Sequence, residues 1–402
     1  MENKKEKFVP PDRKDRDRAL GELKGDRKCV QKALDNIDKY WTQIRAPKSG
    51  DWLYPYGHKG QTFDMHKGKK ITPDRCTLYI QPLVYKDQSL ISDKLLDNMK
   101  RWLEAFYYPC KVKILPFIFE KLLQERGVHV KKNDYDCNQY NAVGILNLVI
   151  GPIQKSLTDA IGVISFSDID LYTDRLSNYC FGYGIPALGG VQSIRRFMPE
   201  WTDEEYDNYE NFESWMMLRV FKIATHEIGH MFGLMHCIYY NCLMMGTNGL
   251  WQTDQNPIYF CPVCYRKLFK CLGFNHVDRY KKLSDMCKEF GGAFMEKQKW
   301  EVDKKSVGKW FEIRYNDLEG KILLSDMKVL GGDEPVARGI GGRLAVPLNN
   351  NKNNRSLSDA RSKSPCLNLK VPGAENGGQS RSRSKSKGKV VNSNSKPGNL
   401  FK

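Results

Sequence analysis

The sequence has few histidines, no long apolar segment and no apolar stretch near its start. Only seven of the 402 residues are histidine. The longest apolar run, residues 145–153, is interrupted by Asn147 and Gly151, and it is far shorter than the roughly 18 residues that a membrane span needs. The charged residues at the start are not followed by the apolar segment of a secretory signal. We therefore expect no membrane span and an intracellular protein, cytoplasmic or nuclear, whose thiols stay reduced.

Positive charge is concentrated at one end of the chain. Residues 336–402 contain fourteen Lys or Arg against two Asp or Glu, so they carry 12 of the 17 net positive charges. This Ser-, Gly- and Asn-rich stretch contains too few apolar side chains to fold. We expect a disordered basic tail that contacts nucleic acid or acidic partners non-specifically. A function dominated by this tail is one alternative to the functions considered below.

Composition divides the chain into four parts: a charged N-terminal extension with an ordered loop (1–75), a domain with alternating strand and helix patterns (76–300), a polar segment that the sequence leaves unresolved (301–335), and the basic tail (336–402). Within the second part, strand patterns such as 77–84 alternate with amphipathic helix patterns such as 90–105. This alternation predicts an α/β fold in which helices pack on a sheet. A short helix is also expected over 31–45.

The most informative motif begins inside a long helix pattern at residues 212–232. This helix pattern is apolar on most faces, so the helix is expected to be buried. The motif reads H-E-I-G-H-M-F-G-L-M-H and occupies residues 226–236. His226 and His230 are four residues apart, so both imidazoles lie on one helix face. Such a pair can bind one Zn²⁺ ion. Glu227 can take a proton from a metal-bound water without ligating the metal.

A third histidine completes the motif. Gly233 lets the backbone leave the helix in a conformation that other residues resist, so His236 can return as a third nitrogen ligand. Three neutral imidazoles leave a fourth position open for water, which is typical of a catalytic zinc site. Histidines that merely fill a core are the alternative. Five fixed positions rarely match by chance in a chain with seven histidines.

Four cysteines after the third histidine predict a second metal site. They are Cys237, Cys242, Cys261 and Cys264, and the last two form C-P-V-C. Four thiolates at these spacings can bind a tetrahedral structural zinc ion. A C-x-x-C pair alone is also compatible with redox chemistry, but the second pair 19 residues upstream favours metal. A zinc ion here would hold the loop that supplies His236.

Together these motifs resemble the archaemetzincin family of metzincin zinc metallopeptidases, most closely its animal members. The resemblance extends from about residue 52 to residue 282 and includes D-W-L-Y-P, L-Y-I-Q-P-L and D-I-D-L-Y. It implies a metzincin-like mixed β-sheet, a long active-site helix, a Met-turn and a C-terminal subdomain that carries the four-cysteine zinc site. It implies that Met244 is the methionine beneath the catalytic metal. It also implies three catalytic ligands, a general base and four structural ligands: His226, His230, His236, Glu227, Cys237, Cys242, Cys261 and Cys264.

The resulting prediction is a zinc metallopeptidase that binds two zinc ions per chain, one catalytic and one structural, and acts on peptide or protein substrates. The resemblance further implies aminopeptidase-like activity on small peptides. A catalytically silent zinc scaffold, or a peptide-binding module on the same fold, is the alternative; the intact Glu227 argues against it.

Several residues near the expected cleft are candidates for substrate binding. We expect strand 190–197 to lie at the edge of the sheet and to bind the substrate backbone by strand addition. Arg195 and Arg196 either meet an acidic group of the substrate or are solvated edge charges. The candidate anchors for a free amino terminus are Asp168, Asp170, Glu204 and Glu205.

Overall fold

Strands and helices alternate along the second part of the chain in the computed structural model, which describes residues 8–54, 58–85, 90–174, 178–198, 201, 212–296, 306–323 and 326. All of them belong to the first of two units, Met1–Arg338. The expected basic tail, Glu204 and Glu205 lie outside the described residues. Within the described ranges, no helix is long and apolar enough to cross a membrane.

The strands form one six-stranded sheet and one three-stranded sheet. They are β1 (Thr77–Val84), β2 (Lys111–Ile114), β3 (Ile118–Phe119), β4 (Val130–Lys132), β5 (Asn138–Asn141), β6 (Ala160–Ser167), β7 (Asp170–Tyr172), β8 (Gly182–Ile185) and β9 (Gly189–Ser193). The large sheet has the order β2-β1-β6-β9-β8, with β3 also on β1, and the small sheet has the order β4-β5-β7. All pairs of the large sheet are parallel except β8 with β9. The predicted α/β fold class is confirmed.

The predicted position of the edge strand is wrong. β9 lies inside the sheet, where Gly190 is the register partner of Ile164 in β6 and of Gly184 in β8. All five residues of β9 are buried. β8 is the outermost strand instead. Both strands are short and contain glycine, so their local patterns do not distinguish the interior from the edge; pairing between distant segments decides it.

The described helices pack around these sheets. They are α1 (Arg13–Leu20), α2 (Lys28–Ala33), α3 (Ile37–Tyr40), α4 (Asp93–Phe106), α5 (Glu120–Glu125), α6 (Ala142–Ile145), α7 (Gly151–Ser156), α8 (Phe212–Met231), α9 (Leu250–Gln255), α10 (Pro262–Leu272), α11 (His276–Phe290) and α12 (Val307–Glu319). A π-helical turn, Leu146–Ile150, joins α6 to α7. The 20-residue helix α8 is buried over most of its length, as its apolar pattern predicts. Trp102 of α4 is fully buried and stacks on Phe221 of α8, with ring centres 5.1 Å apart.

The single helix predicted over residues 31–45 is wrong. α2 ends at Ala33, and Asn36 adopts the left-handed conformation, with φ 51°, before the short α3. The chain is extended again at Trp41, whose ring nitrogen donates to the carbonyl oxygen of Phe260 at 2.9 Å. The helical spacing of apolar residues was real, but these side chains reach the core from two short helices and an extended segment because tertiary packing outweighs local propensity.

Residues 306–323, which the sequence leaves unresolved, contain α12. Trp310 of this helix stacks on Tyr259 with ring centres 3.7 Å apart and nearly parallel planes. Its ring nitrogen donates to the carbonyl oxygen of Tyr40 at 3.0 Å. N-terminal and C-terminal segments therefore belong to the same hydrophobic core as the long helix.

Candidate active site

Helix α8 carries the first two histidines of the motif on one face. The ring centres of His226 and His230 are 4.7 Å apart, and their Nε2 atoms are 3.0 Å apart. This is the arrangement that the four-residue spacing predicts for residues one helical turn apart.

The turn after α8 brings in the third histidine. Gly233 adopts φ +81°, a left-handed conformation in which glycine avoids the strain of a side chain. The chain then reverses, and the ring centre of His236 lies 5.3 Å from that of His226 and 4.9 Å from that of His230. One side-chain nitrogen of each ring lies within 4.8 Å of the others, and all three rings are half-buried. The three histidines therefore converge on one point.

Hydrogen bonds determine which nitrogen faces that point. Nδ1 of His226 lies 2.8 Å from the carbonyl oxygen of Leu243, and Nδ1 of His230 lies 2.7 Å from that of Leu234. A carbonyl oxygen only accepts, so each Nδ1 carries the proton and each Nε2 presents a lone pair. Two lone pairs 3.0 Å apart repel each other unless a cation lies between them. Zinc ligands at about 2.0–2.1 Å stand roughly 3.3 Å apart in a tetrahedral site, so this donor set fits a zinc ion.

Burial also keeps the rings in the form that binds metal. It lowers the pKa of His226 to about 4. It lowers the pKa of His230 to about 3, and the neighbouring His226 adds to the effect. The pKa of His236 is well below its usual value for the same two reasons, burial and nearby histidines. All three imidazoles are therefore neutral near pH 7, as metal ligands must be.

Glu227 follows His226 in α8, and its side chain lies between this helix and strand β8. Its side chain is 5% exposed. A Cβ atom on Gly182 of β8 would lie 2.7 Å from Oε1 of Glu227, so a glycine is needed for β8 to pass this closely over the helix. Burial raises the pKa of Glu227 to about 8, although a hydrogen bond with the backbone of Gly184 opposes that shift. The carboxyl group is thus held close to both the histidines and the sheet edge.

Met244 packs against α8 at Gly229, which lies between His226 and His230 in the helix. Its side chain is fully buried, and a Cβ atom on Gly229 of α8 would lie 2.5 Å from its sulfur. The neighbouring Met245 instead lines a small cavity, about 30 Å³, with Ile44 and Trp52 among its other walls. Of the two adjacent methionines, Met244 is the one that contacts the helix between its histidines.

The four cysteines predicted to bind a second metal also converge. Their sulfur atoms lie within 4.8 Å of one another and all four side chains are buried. The sulfurs of Cys237 and Cys261 are 3.5 Å apart, and none of the four forms a disulfide. Backbone N–H groups of Cys261 and Met244 donate to the sulfur of Cys242 at 3.2 and 3.4 Å. Burial raises the pKa of Cys242 and Cys261 well above the usual value, so a divalent cation is the natural source of the charge that would keep these thiols ionised.

The described residues that were proposed to recognise substrate charge form contacts within the protein. Arg196 forms two hydrogen bonds to the carboxylate of Asp170, at 2.9 and 2.7 Å, and this pair is almost completely buried. Arg195 donates to the carbonyl oxygen of Asp168. The carboxylate of Asp168 accepts from two backbone N–H groups, those of Tyr85 and Leu90. These four side chains stabilise the fold, and neither reading of the two arginines, as substrate contacts or as solvated edge charges, describes them.

The sequence analysis missed two aromatic residues beside the third histidine. The ring centre of Trp52 lies 5.1 Å from that of His236 and 4.6 Å from that of His58. Both residues come from the N-terminal segment, in the stretch expected to be an ordered, aromatic-rich loop. The density of aromatic residues was the available signal, but it gave no indication of what the loop would contact.

Comparison with known proteins places this geometry in a class. The sequence profile of peptidase family M54 matches residues 88–270, a range that contains the histidine motif and all four cysteines. Archaemetzincin-2 of Rattus norvegicus is 28% identical over 305 residues, which cover 67% of this chain and 82% of that protein. Archaemetzincin-2 of Homo sapiens is 27% identical over 285 residues, covering 64% of this chain and 78% of that protein. A crystal structure of archaemetzincin from Archaeoglobus fulgidus, complexed with malonate, is 26% identical to this chain, with a TM-score of 0.35, and covers 48% of this chain and 99% of that one.

Residues 88–270 thus resemble peptidase family M54, a family of zinc metallopeptidases, and they contain the three converging histidines. The matched animal proteins, 28% and 27% identical to this chain, are archaemetzincins. The family resemblance inferred from the motifs is therefore confirmed. The roles of the individual site residues stay predictions.

Proposed function

We propose that this chain hydrolyses peptide bonds at a zinc centre formed by His226, His230 and His236. The observation that carries the proposal is the convergence of three neutral imidazoles beside the buried carboxyl group of Glu227. Three nitrogen ligands leave one position of a tetrahedral zinc ion open to solvent and substrate. A zinc ion bound there would acidify a water molecule and polarise the scissile carbonyl group.

Glu227 is the general base in this proposal. It follows His226 directly in α8, so its carboxylate and the metal-binding nitrogens are fixed by the same turn of helix. It accepts a proton from the attacking water and passes it to the nitrogen of the leaving amine. Burial against β8 favours the protonated form of Glu227 in the metal-free chain. A zinc ion at the three histidines would favour the ionised carboxylate that accepts the proton of the attacking water.

The substrate backbone would pair with β8. Among the described strands, only β9 pairs with β8, so the second edge of β8 can accept an extended peptide by strand addition. Gly182 and Gly184 bring this edge directly over Glu227. A peptide bound there would run past the proposed base, with a carbonyl group near the three histidines.

We further propose a second, structural zinc ion bound by the four cysteines. Four buried thiolates leave no open ligand position, as in other structural zinc sites. Cys237 follows His236 directly, so this ion would hold the loop that supplies the third catalytic ligand. The protein then contains two zinc ions, one that chelators remove easily and one that they remove slowly.

The test is cleavage of a defined peptide mixture by the wild type and by Glu227→Ala, with zinc measured in both. We expect two zinc ions in each protein, and a loss of about 10²-fold or more of activity in the variant. Full activity in Glu227→Ala would refute the base assignment. A wild type that binds both ions and cleaves nothing would instead be the silent zinc scaffold.

The same mixture decides where peptides are cut. Aminopeptidase-like activity, implied by the family resemblance, predicts release of single residues from the amino terminus. Asp168 and Asp170 are committed to internal contacts, so neither supplies the acidic anchor that a free amino group needs. Cleavage confined to internal bonds would contradict the aminopeptidase prediction and leave the zinc peptidase proposal intact.

A further inference from the structure

A segment outside the matched family profile contacts the turn that delivers the third histidine. Residues 61–68, called the strap below, lie before the start of the profile match at residue 88. Gln61 of the strap is 7% exposed. Its Nε2 donates to the carbonyl oxygen of Gly233 at 3.1 Å, and its Oε1 accepts from the backbone N–H of Met235 at 3.3 Å. One side-chain amide therefore bonds both sides of the turn between α8 and His236.

The strap also covers the end of α8. The last carbonyl groups of a helix have no partner within the helix. His66 Nε2 donates to the carbonyl oxygen of Phe232, the first residue after α8, at 2.9 Å. Gly68 lies so close to the same oxygen that a Cβ atom there would overlap it. The strap thus replaces the missing helical hydrogen bonds and fits the turn without room for an added methyl group.

Helix α10 holds the strap from the other side. Lys267, only 2% exposed, donates to Oε1 of Gln61 at 3.0 Å and also to its backbone carbonyl oxygen. Lys270 donates to the carbonyl oxygen of His66 at 3.3 Å. α10 begins beside Cys261 and contains Cys264. The helix that contributes to the cysteine cluster therefore also fixes the strap, which in turn fixes the backbone before His236.

We infer that the strap is a positioning element for the catalytic metal site and that Gln61 is its principal positioning residue. It links the two metal centres by a route separate from the direct Cys237–His236 connection. The inference rests on the proposed function, because it requires His236 to bind the metal. The position of His236 then depends on a side chain outside the histidine motif, that of Gln61.

Cobalt titration of the metal-free, full-length protein tests this inference. Co²⁺ bound by thiolates gives intense near-ultraviolet charge-transfer bands, which Co²⁺ bound by three histidines lacks, so these bands report the cysteine site. The histidine site is followed by the visible absorption that is left when the thiolate contribution is subtracted. Gln61→Met removes all three side-chain hydrogen bonds, those with Gly233, Met235 and Lys267, at similar volume. We expect it to weaken cobalt binding at the histidine site by about 10-fold or more, the effect typical of groups that orient metal ligands. Binding at the cysteine site should stay unchanged.

Two further variants keep the test decisive. Gln31→Met removes a comparable amide, which bonds the carbonyl oxygens of Lys24 and Asp26 rather than the turn before His236, and should leave both sites at wild-type affinity. Gln61→Glu keeps an acceptor for Lys267 but cannot donate to Gly233, so it should recover part of the loss. If Gln61→Met does not fold, Gln61→Glu is compared with Gln31→Met instead.

The outcomes separate the two proposals. Histidine-site affinity in the Gln61 variants equal to that of Gln31→Met would overturn the positioning role, and so would an equal loss at both metal sites. A wild type without visible histidine-site bands would overturn the proposed zinc centre itself, whatever the Gln61 variants do.

Discussion

The backbone N–H of Cys237 donates to the carbonyl oxygen of Met244 at 2.7 Å. This bond joins the residue after His236 to the methionine that packs against Gly229 of α8. Leu243, the residue before Met244, accepts from Nδ1 of His226. The third histidine, the cysteine cluster and the turn at Met244 therefore form one hydrogen-bonded unit, and a change in one part is expected to alter the others.

Cys264→Ser should release the zinc ion of the cysteine cluster and weaken the catalytic site as well. A serine hydroxyl stays protonated near pH 7, so the tetrahedral set loses one ligand. Because Cys237 and His236 are adjacent, we expect peptidase activity to fall by about 10- to 100-fold. Zinc analysis and a peptidase assay check this. Cys137→Ser, at an exposed cysteine, is the control; two zinc ions and full activity in Cys264→Ser would contradict the prediction.

Glu227→Gln should stabilise the metal-free protein by an amount that grows with pH. Burial raises the pKa of Glu227 from 4.5 to about 8 in the folded state. The folded protein therefore holds a proton that the unfolded chain releases, and this contribution to stability is complete below pH 4.5 and lost as pH rises towards 8. Glutamine resembles the protonated acid and does not titrate, so its advantage should increase by at most about 1.4 kcal/mol per pH unit in that window.

Urea unfolding of the two metal-free proteins at pH 5, 6.5 and 8 measures that difference. Histidine titration affects the wild type and the variant alike and cancels in the comparison. A difference in the free energy of unfolding that stays constant over the three pH values would show that Glu227 is not held in a buried, protonated state.

Gly182→Ala should lower peptidase activity, although Gly182 lies on a short strand and is not a proposed metal ligand or base. The added methyl group would lie 2.7 Å from Oε1 of Glu227, so either β8 or the carboxyl group must move. We expect a fall in kcat/KM of about 10-fold or more, since small displacements of catalytic groups are costly, with unchanged zinc content. Steady-state kinetics test this against Gly25→Ala, where the methyl group meets nothing within 4 Å. Equal kinetics in both variants would place Glu227 outside the reaction.

Gly229 and Met244 should be energetically coupled. Gly229→Ala alone would press a methyl group against the Met244 sulfur, 2.5 Å away, at a cost of about 1–3 kcal/mol. Met244→Ala alone leaves a cavity and should cost about 2–5 kcal/mol. In the double variant the new methyl group occupies part of that cavity, so the summed cost should be reduced by about 0.5–3 kcal/mol. Unfolding free energies of the four metal-free proteins give the coupling; strict additivity would show that the two residues do not share this space.

Much of the candidate site follows from local spacing. The interval between His226 and His230 predicts one helix face, and the glycine at position 233 predicts the end of that helix; both features are present in the structure. The apolar pattern of α8 predicts a buried helix because most of its faces carry large apolar side chains. These properties depend on residues within one or two helical turns of each other, so a single sequence is sufficient to derive them.

Features that depend on distant partners were not predictable in this way. The pairing of Arg196 with Asp170 joins residues 26 positions apart, and nothing in the two arginines distinguishes a buried ion pair from a substrate contact. Likewise, α12 packs against a distant part of the chain, where its Trp310 stacks on Tyr259. Its own residues gave no clear pattern, because the stabilising contacts come from another part of the chain.

The sequence by itself determined the chemistry available to this protein: the resemblance to a peptidase family, the candidate histidine and cysteine ligands, and the helix that carries the first two of them. Only the tertiary structure decided that β8 rather than β9 is the outer strand over Glu227, and that Gln61 reaches the turn before His236. The physical reason is the separation along the chain of the residues that interact. Helix periodicity and ligand spacing are local, whereas strand order and the docking of the N-terminal segment depend on surfaces that exist only after the chain has folded.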